Sequence, residues 1–142
     1  TNRSFGDSRS FERGQETMGK YVDGFVLPVP KKNLAAYRRM SVAMGKLMKK
    51  YGALEYVEAA GDDLNPKMGG MKFTKFSKMA NAKPGETVLF SYIVFKSRAH
   101  RDKVNKMVME EMMKDPRYNK DMKMPFDMAR MAYGGFKVIV DA

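Results

Sequence analysis

The sequence predicts an α+β domain of ferredoxin-like topology, an antiparallel sheet with two helices on one face. Two observations lead there. Four β-rich runs are interrupted by two amphipathic helical stretches, in the order β-α-β-β-α-β, which is the split-βαβ pattern. The chain has 142 residues, 44% of them hydrophobic, enough for one domain with a core of its own.

Residues 1–17, TNRSFGDSRSFERGQET, are polar and aperiodic. They read as a flexible arm or an appended extension, and Met18 opens a single domain over 18–142. Lys20–Val29 alternates and is rich in Val, Tyr and Phe, so it is the first strand, stopped by Pro28 and Pro30. Asn33 is placed to cap a helix whose Leu34, Tyr37, Met44, Met48 and Tyr51 recur on one side, and Gly52 ends it. Ala53–Ala60 is a short second strand. Gly61–Gly85 is turn-rich, and "MKFTKFSKM" inside it reads equally as a short strand or a short helix. Glu86–Phe95, ETVLFSYIVF, is the clearest strand of the chain. Ser97 caps a second helix with Val104, Met107, Val108, Glu111 and Met112 along one side, halted at Asp115-Pro116. After an irregular stretch, Arg130–Val140 forms the last strand.

Alternation sorts the first strand into Tyr21, Asp23, Phe25, Leu27 and the smaller Val22, Gly24, Val26. The third strand splits into Phe90, Tyr92, Val94 and Leu89, Ser91, Ile93. The small sets suit a surface beneath helices, which puts the aromatic sets on the bare face. Tyr21, Phe25, Phe90 and Tyr92 are therefore expected at the interface of a homodimer, since four rings in water would leave a large apolar patch. Asp23 on that face needs a donor, and Arg130, Tyr133 and Lys137 of the neighbouring last strand can supply one. A structural link of this kind competes with a ligand contact. The candidate ligand-binding residues are Asp23, Tyr92, Asp127, Arg130 and Tyr133, around a cleft between sheet and loops. Asp127 can equally accept backbone N–H groups where the last strand begins, and Gly134-Gly135 permits a bulge or a close backbone approach.

Several function classes are excluded or weakened. No cysteine means no disulfide framework and no thiolate ligand, and a single histidine, His100, leaves little for a metal centre or a Ser-His-Asp triad. No metal and no cofactor are expected. His100, among Arg98, Arg101 and Lys103, is expected as a solvated surface residue whose neighbours disfavour protonation. No apolar run is long enough to span a bilayer and no signal-type segment precedes the first strand, so no membrane association and a cytoplasmic setting are expected. The net charge of +11, from 27 Lys and Arg against 16 Asp and Glu, invites nucleic acid as a partner. Those cations are scattered, and no RNP1 pattern accompanies the sheet aromatics. Methionines of the second helix, NKMVMEEMMKDP, either fill the core or line a hydrophobic groove. Three functions remain open: a small-molecule binder near Asp23, whether or not it catalyses a reaction; an RNA-binding module; and a dimer with a purely structural role.

The stretches KYVDGFVLPVPKKNLAAYR, VLFSYIVFKSRAHRDKVN and MPFDMARMAYGGFKVIVD resemble those of the YbaA-like bacterial proteins, a family defined as a domain of unknown function. The resemblance runs from Met18 to Ala142. It implies a dimeric α/β-barrel built from ferredoxin-like domains, and it carries over no catalytic residues. The loop Asp62–Lys83 departs from the family pattern in being more basic and richer in methionine.

Overall fold

A computed structural model of the protein describes residues 19–118 and 122–142. The arm expected over 1–17 and the start expected at Met18 lie outside these residues. The elements follow in the expected order: β1 (Tyr21–Pro30), α1 (Leu34–Lys50), β2 (Glu55–Ala60), the single turn α2 (Phe76–Met79), β3 (Glu86–Phe95), α3 (Arg98–Lys114) and β4 (Ala132–Lys137). All strand pairs are antiparallel, in the order β2-β3-β1-β4. With both long helices on one face, this is an α+β architecture compatible with the ferredoxin-like topology. No helix among the described residues is long and apolar enough to cross a membrane.

Element ends show which local forces win. Ser97 caps α3 as expected, its Oγ accepting from the His100 N–H at 3.1 Å. Asn33 does not cap α1; the chain enters through a 3-10 turn at Lys31–Asn33, and the Asn33 amide donates to the Pro125 carbonyl at 3.0 Å. β2 begins at Glu55 rather than Ala53, because Gly52 (φ 112) turns the chain and the Ala53 N–H closes α1 on the Met48 carbonyl. β4 is shorter than Arg130–Val140. Met128–Arg130 forms a 3-10 turn capped by the Asp127 carboxylate, and Arg130 reaches away from the ladder.

The core lies between sheet and helices in two clusters. One joins Ile93 and Phe95 of β3 to Met48 of α1 and to Val104 and Val108 of α3; the other joins Leu27, Val29 and Leu89 to Tyr37. Complete burial of Phe95, Leu27 and Val104 contributes roughly 1.5–3 kcal/mol each.

Register corrects the expected faces of β1. Asp23 pairs with Ile93, Phe25 with Ser91 and Tyr21 with Phe95. Directly paired residues of an antiparallel ladder share a face, so the two small sets cannot both lie under the helices. Tyr21, Asp23 and Phe25 go beneath the helices with Leu89, Ser91 and Ile93, and Tyr21 and Phe25 pack on the core. Of the four rings expected at an interface, only Phe90 and Tyr92 face the bare side, in edge-to-face contact at 6.3 Å. Phe136 joins them, and Phe76 of α2 meets Phe90 edge-on. Gly135 is required where it stands, since a Cβ there would collide with the Tyr21 phenol.

Arg130 was expected beside Asp23, but it grips Glu86 instead. Its Nη1 and Nη2 donate to the two carboxylate oxygens at 2.7 and 2.8 Å, and Nη2 also donates to the Asn81 carbonyl. This clamp ties the end of the long 61–85 loop to the start of β4. Arg130, aided by the Lys83 backbone N–H, lowers the Glu86 pKa from the ordinary 4.5 to about 2. A folded pKa below the unfolded one stabilises above the unfolded value. The clamp is therefore fully effective above pH 4.5 and weakens as pH falls towards 2. Arg130→Met should flatten this part of the melting-temperature profile; an unchanged acid slope in the variant would refute the assignment.

Candidate functional site

Two polar clusters interrupt the helix-facing side of the sheet. In the first, Asp23 is 1% exposed and has three donors. Arg101 Nη1 reaches Oδ1 at 3.2 Å, while Tyr133 Oη and Asn105 Nδ2 reach Oδ2 at 3.1 and 3.3 Å. Arg101 also donates to Tyr133 Oη at 3.0 Å and lies 4.9 Å over the Tyr21 ring. Its Nε is 2.9 Å from Asp102 Oδ1, off the hydrogen-bond axis. Burial opposes the Arg101 charge, yet Asp23 and the two tyrosines hold its pKa above the usual guanidinium range. Burial, then the Asp23 charge, raises the Tyr133 phenol. The Asp23 carboxylate is thereby satisfied at both oxygens, while Arg101 Nε is left without a hydrogen-bond partner among the described residues.

The second cluster centres on Glu58 of β2. Tyr37 Oη donates to Oε2 at 2.7 Å, Tyr56 Oη to Oε1 at 2.8 Å, and Ser91 Oγ also donates to Oε2. Burial, followed by Glu58, drives both phenols far above their ordinary pKa. Tyr37 and Tyr56 therefore remain protonated donors rather than phenolate bases. Ser41 of α1 stands over them, 5% exposed, and its Oγ has no hydrogen-bond partner among the described residues.

Between the core clusters lies a cavity of about 510 Å³. The helices contribute Met40, Met44, Met48, Met109 and Met112 to its walls, and the segment before β4 contributes Met122, Met124, Met128 and Met131. Its polar groups include Tyr37, Ser41, Tyr56, Glu58, Ser91 and Asn105. The void has a sequence cause. Ser91 occupies the centre of the helix-facing side of β3, between Leu89 and Ile93, and Ser41 lies among the larger residues on the inner side of α1. Two small side chains leave the middle of the layer unfilled.

Of the expected site residues, the structure brings only Asp23 and Tyr133 together. Tyr92 is on the opposite face, Asp127 caps a turn, and Arg130 holds Glu86. Asp127 and Arg130 thus anchor the segment that carries Met128 and Met131. Sequence reasoning missed Arg101 and Asn105, although with Val104 and Val108 they follow the i, i+3, i+4, i+7 spacing of one helix side. It also missed Glu58, which alternation places on the same face as Tyr56. His100 is half-buried rather than solvated: its Nδ1 accepts from the Lys96 N–H, and burial, ahead of Lys96 and Lys103, lowers its pKa. Among the described residues, no group of three or more His, Cys, Asp or Glu is arranged to hold a metal ion.

Comparison with known proteins bears on this geometry. Residues 20–128 match the model of the family described as "Protein of unknown function (DUF1428)". The chain belongs to this family. It is 42% identical over 123 residues to "Uncharacterized protein YbaA" of Escherichia coli strain K12, an alignment covering 86% of this chain and 98% of that one. The proteins of the same name from Escherichia coli O157:H7 and Shigella flexneri match to the same extent. The YbaA-like resemblance read from the sequence is thereby borne out. Within the DUF1428 match lie Asp23, Glu58, Arg101 and Asn105; Tyr133 falls beyond its end.

Removing one partner of a buried ion pair strands the other. Asp23→Leu should cost about 3–5 kcal/mol in urea unfolding, and adding Arg101→Met should recover most of it. Equal losses in the single and double variants would show that the pairing does not govern stability.

Proposed function

We propose that the protein binds a small, largely apolar molecule in the methionine-lined cavity between sheet and helices, and that it does so as a homodimer. The cavity carries this proposal: it has the size and apolar character of a ligand site, with a few polar groups clustered at one wall. Thioether side chains adapt to irregular shapes, which suits a guest rather than a packed core. Glu58 and the free Ser41 hydroxyl offer the ligand hydrogen bonds. Asp23 and Tyr133 act from behind the wall, where Asp23 orients Asn105; Asp127 and Arg130 hold the closing segment in place. Protonated phenols at Tyr37 and Tyr56 favour binding over proton abstraction.

Dimerisation is inferred from the bare face. Phe90 is 47% and Phe136 61% exposed there, with Tyr92 between strands of small residues. A second copy covering these rings would complete a dimeric α/β-barrel, in the proposed cytoplasmic setting. An RNA-binding role draws on the same rings and the charge of +11. It is the weaker reading, because Tyr21 and Phe25 lie under the helices.

Nile red, an uncharged apolar dye, is the test probe. It should gain fluorescence with the protein and shift the methyl resonances of Met44, Met48 and Met112 but not of exposed Met113. Ser91→Leu, which fills the cavity centre, should weaken binding about tenfold, or about 1.4 kcal/mol. Dye binding indifferent to that substitution, with the cavity methyls unmoved, would sink the ligand proposal. Separately, light scattering should give twice the 16.2 kDa chain mass, falling to one chain in Phe90→Lys. A monomeric parent protein would remove the dimer and leave the cavity proposal standing.

A further inference from the structure

The free side of β2 opens onto a cleft built to receive another strand. Among the described residues β2 pairs with β3 alone and forms one edge of the sheet. Opposite Val88, the Gly61 N–H donates to the Val88 carbonyl at 2.8 Å. The alternation of an antiparallel ladder then turns the N–H and C=O groups of Tyr56, Glu58 and Ala60 away from β3. Natural sheets commonly guard such an edge with lysine, proline or a bulge. The strand EYVEAA contains neither lysine nor proline, and its register with β3 runs without a break.

Alongside this edge, between β2 and α1, is a cleft of about 920 Å³. Gly45 brings the two elements close; a Cβ there would stand 2.8 Å from the Tyr56 ring. The cleft is therefore floored by Tyr56, with half-exposed Val42 on the helix side. α1, LAAYRRMSVAMGKLMKK, carries five cations and no acid. Three of them, Arg38, Lys46 and Lys49, line the cleft. Lys49 donates to the Leu54 carbonyl, whereas Arg38 and Lys46 are exposed. The lining also holds two acids, exposed Glu55 and Glu58, the latter turned towards the Tyr37, Tyr56 and Ser91 hydroxyls, so the three cations outnumber them.

We propose that an extended acidic segment of a partner protein docks in this cleft as a fifth strand, pairing with the outward backbone groups of β2 while its carboxylates meet Arg38 and Lys46. Unpaired edge amides select an extended chain and the helix cations select its charge. This surface is distinct from the interior ligand site and does not depend on it. The Tyr37–Glu58–Tyr56 cluster stands between the two. Docking requires that the second copy cover the rings of the bare face without pairing along β2.

The test uses the full chain and a fluorescein-labelled peptide alternating valine and glutamate, followed by fluorescence anisotropy. Binding is expected in the tens of micromolar at low salt, weakening about tenfold at high salt as the charges are screened. The same peptide N-methylated at alternate amides, and a lysine-for-glutamate version, should each bind at least about tenfold more weakly. Ala60→Pro removes one outward N–H without touching the β3 ladder and should weaken binding about fivefold. Lys46→Glu, at an exposed position, should do the same with the melting temperature unchanged. Equal affinity for the N-methylated peptide, no binding at about 1 mM, or amide shifts that avoid β2 and α1 would each overturn the proposal.

Discussion

A carboxylate carried into the space between a sheet and its helices has to be neutralised there, because an unpaired charge in that medium costs roughly several kcal/mol. Asp23 is such a group, and Arg101 of α3 meets it, with Asn105 one turn further along the same helix. Two contacts from one helix to one side chain determine the rotation of α3 over β1. Val104 and Val108 are thereby aimed at Phe95 and Ile93, and Tyr133 is drawn inward from β4. The stacking of Phe25 on Tyr133 at 4.8 Å extends the same arrangement across the sheet. The ion pair sets the alignment of the layers, and apolar burial then supplies most of the stability.

How much of this was legible in the sequence depended on which force decided each feature. Element order and the limits of β3 followed from periodicity and strand-forming composition, which act locally, whereas Pro28 and Pro30, expected to stop β1, lie within it. The cap at Ser97 and the stop at Asp115-Pro116 were equally local. Which face of β1 is buried was not, because Asp23 and the aromatics looked out of place beneath helices until pairing with Ile93 and Ser91 was known. The two polar clusters were hidden for the same reason. Arg101 reads as one cation among several around His100, and only its partner on β1 distinguishes it. Glu58 reads as an ordinary solvent-facing acid of an edge strand, although three hydroxyls from α1, β2 and β3 converge on it.

The divided core has a common origin with the candidate site. Leucine or phenylalanine at positions 41 and 91 would join the Met48–Phe95 cluster to the Leu27–Tyr37 cluster. With serine at both, the interior keeps a void bordered by flexible thioethers and one carboxylate. A domain of this size gives up packing there, and the surrounding methionines lessen the loss by moving into what space they can. Membership of a family with no described activity makes that void the most informative part of the molecule.

The hairpin of β2 and β3 is already closed where Gly61 meets Val88, so the long excursion between them contributes nothing to the ladder. Its later part is held: Phe76 packs on Phe90, Arg130 grips the Asn81 carbonyl together with Glu86 at the start of β3, and the Lys31 N–H donates to the Gly85 carbonyl. Evolution can lengthen, shorten or recharge residues 62–75 without disturbing the sheet beneath them. Diversification among relatives should concentrate there, leaving the buried framework as common inheritance.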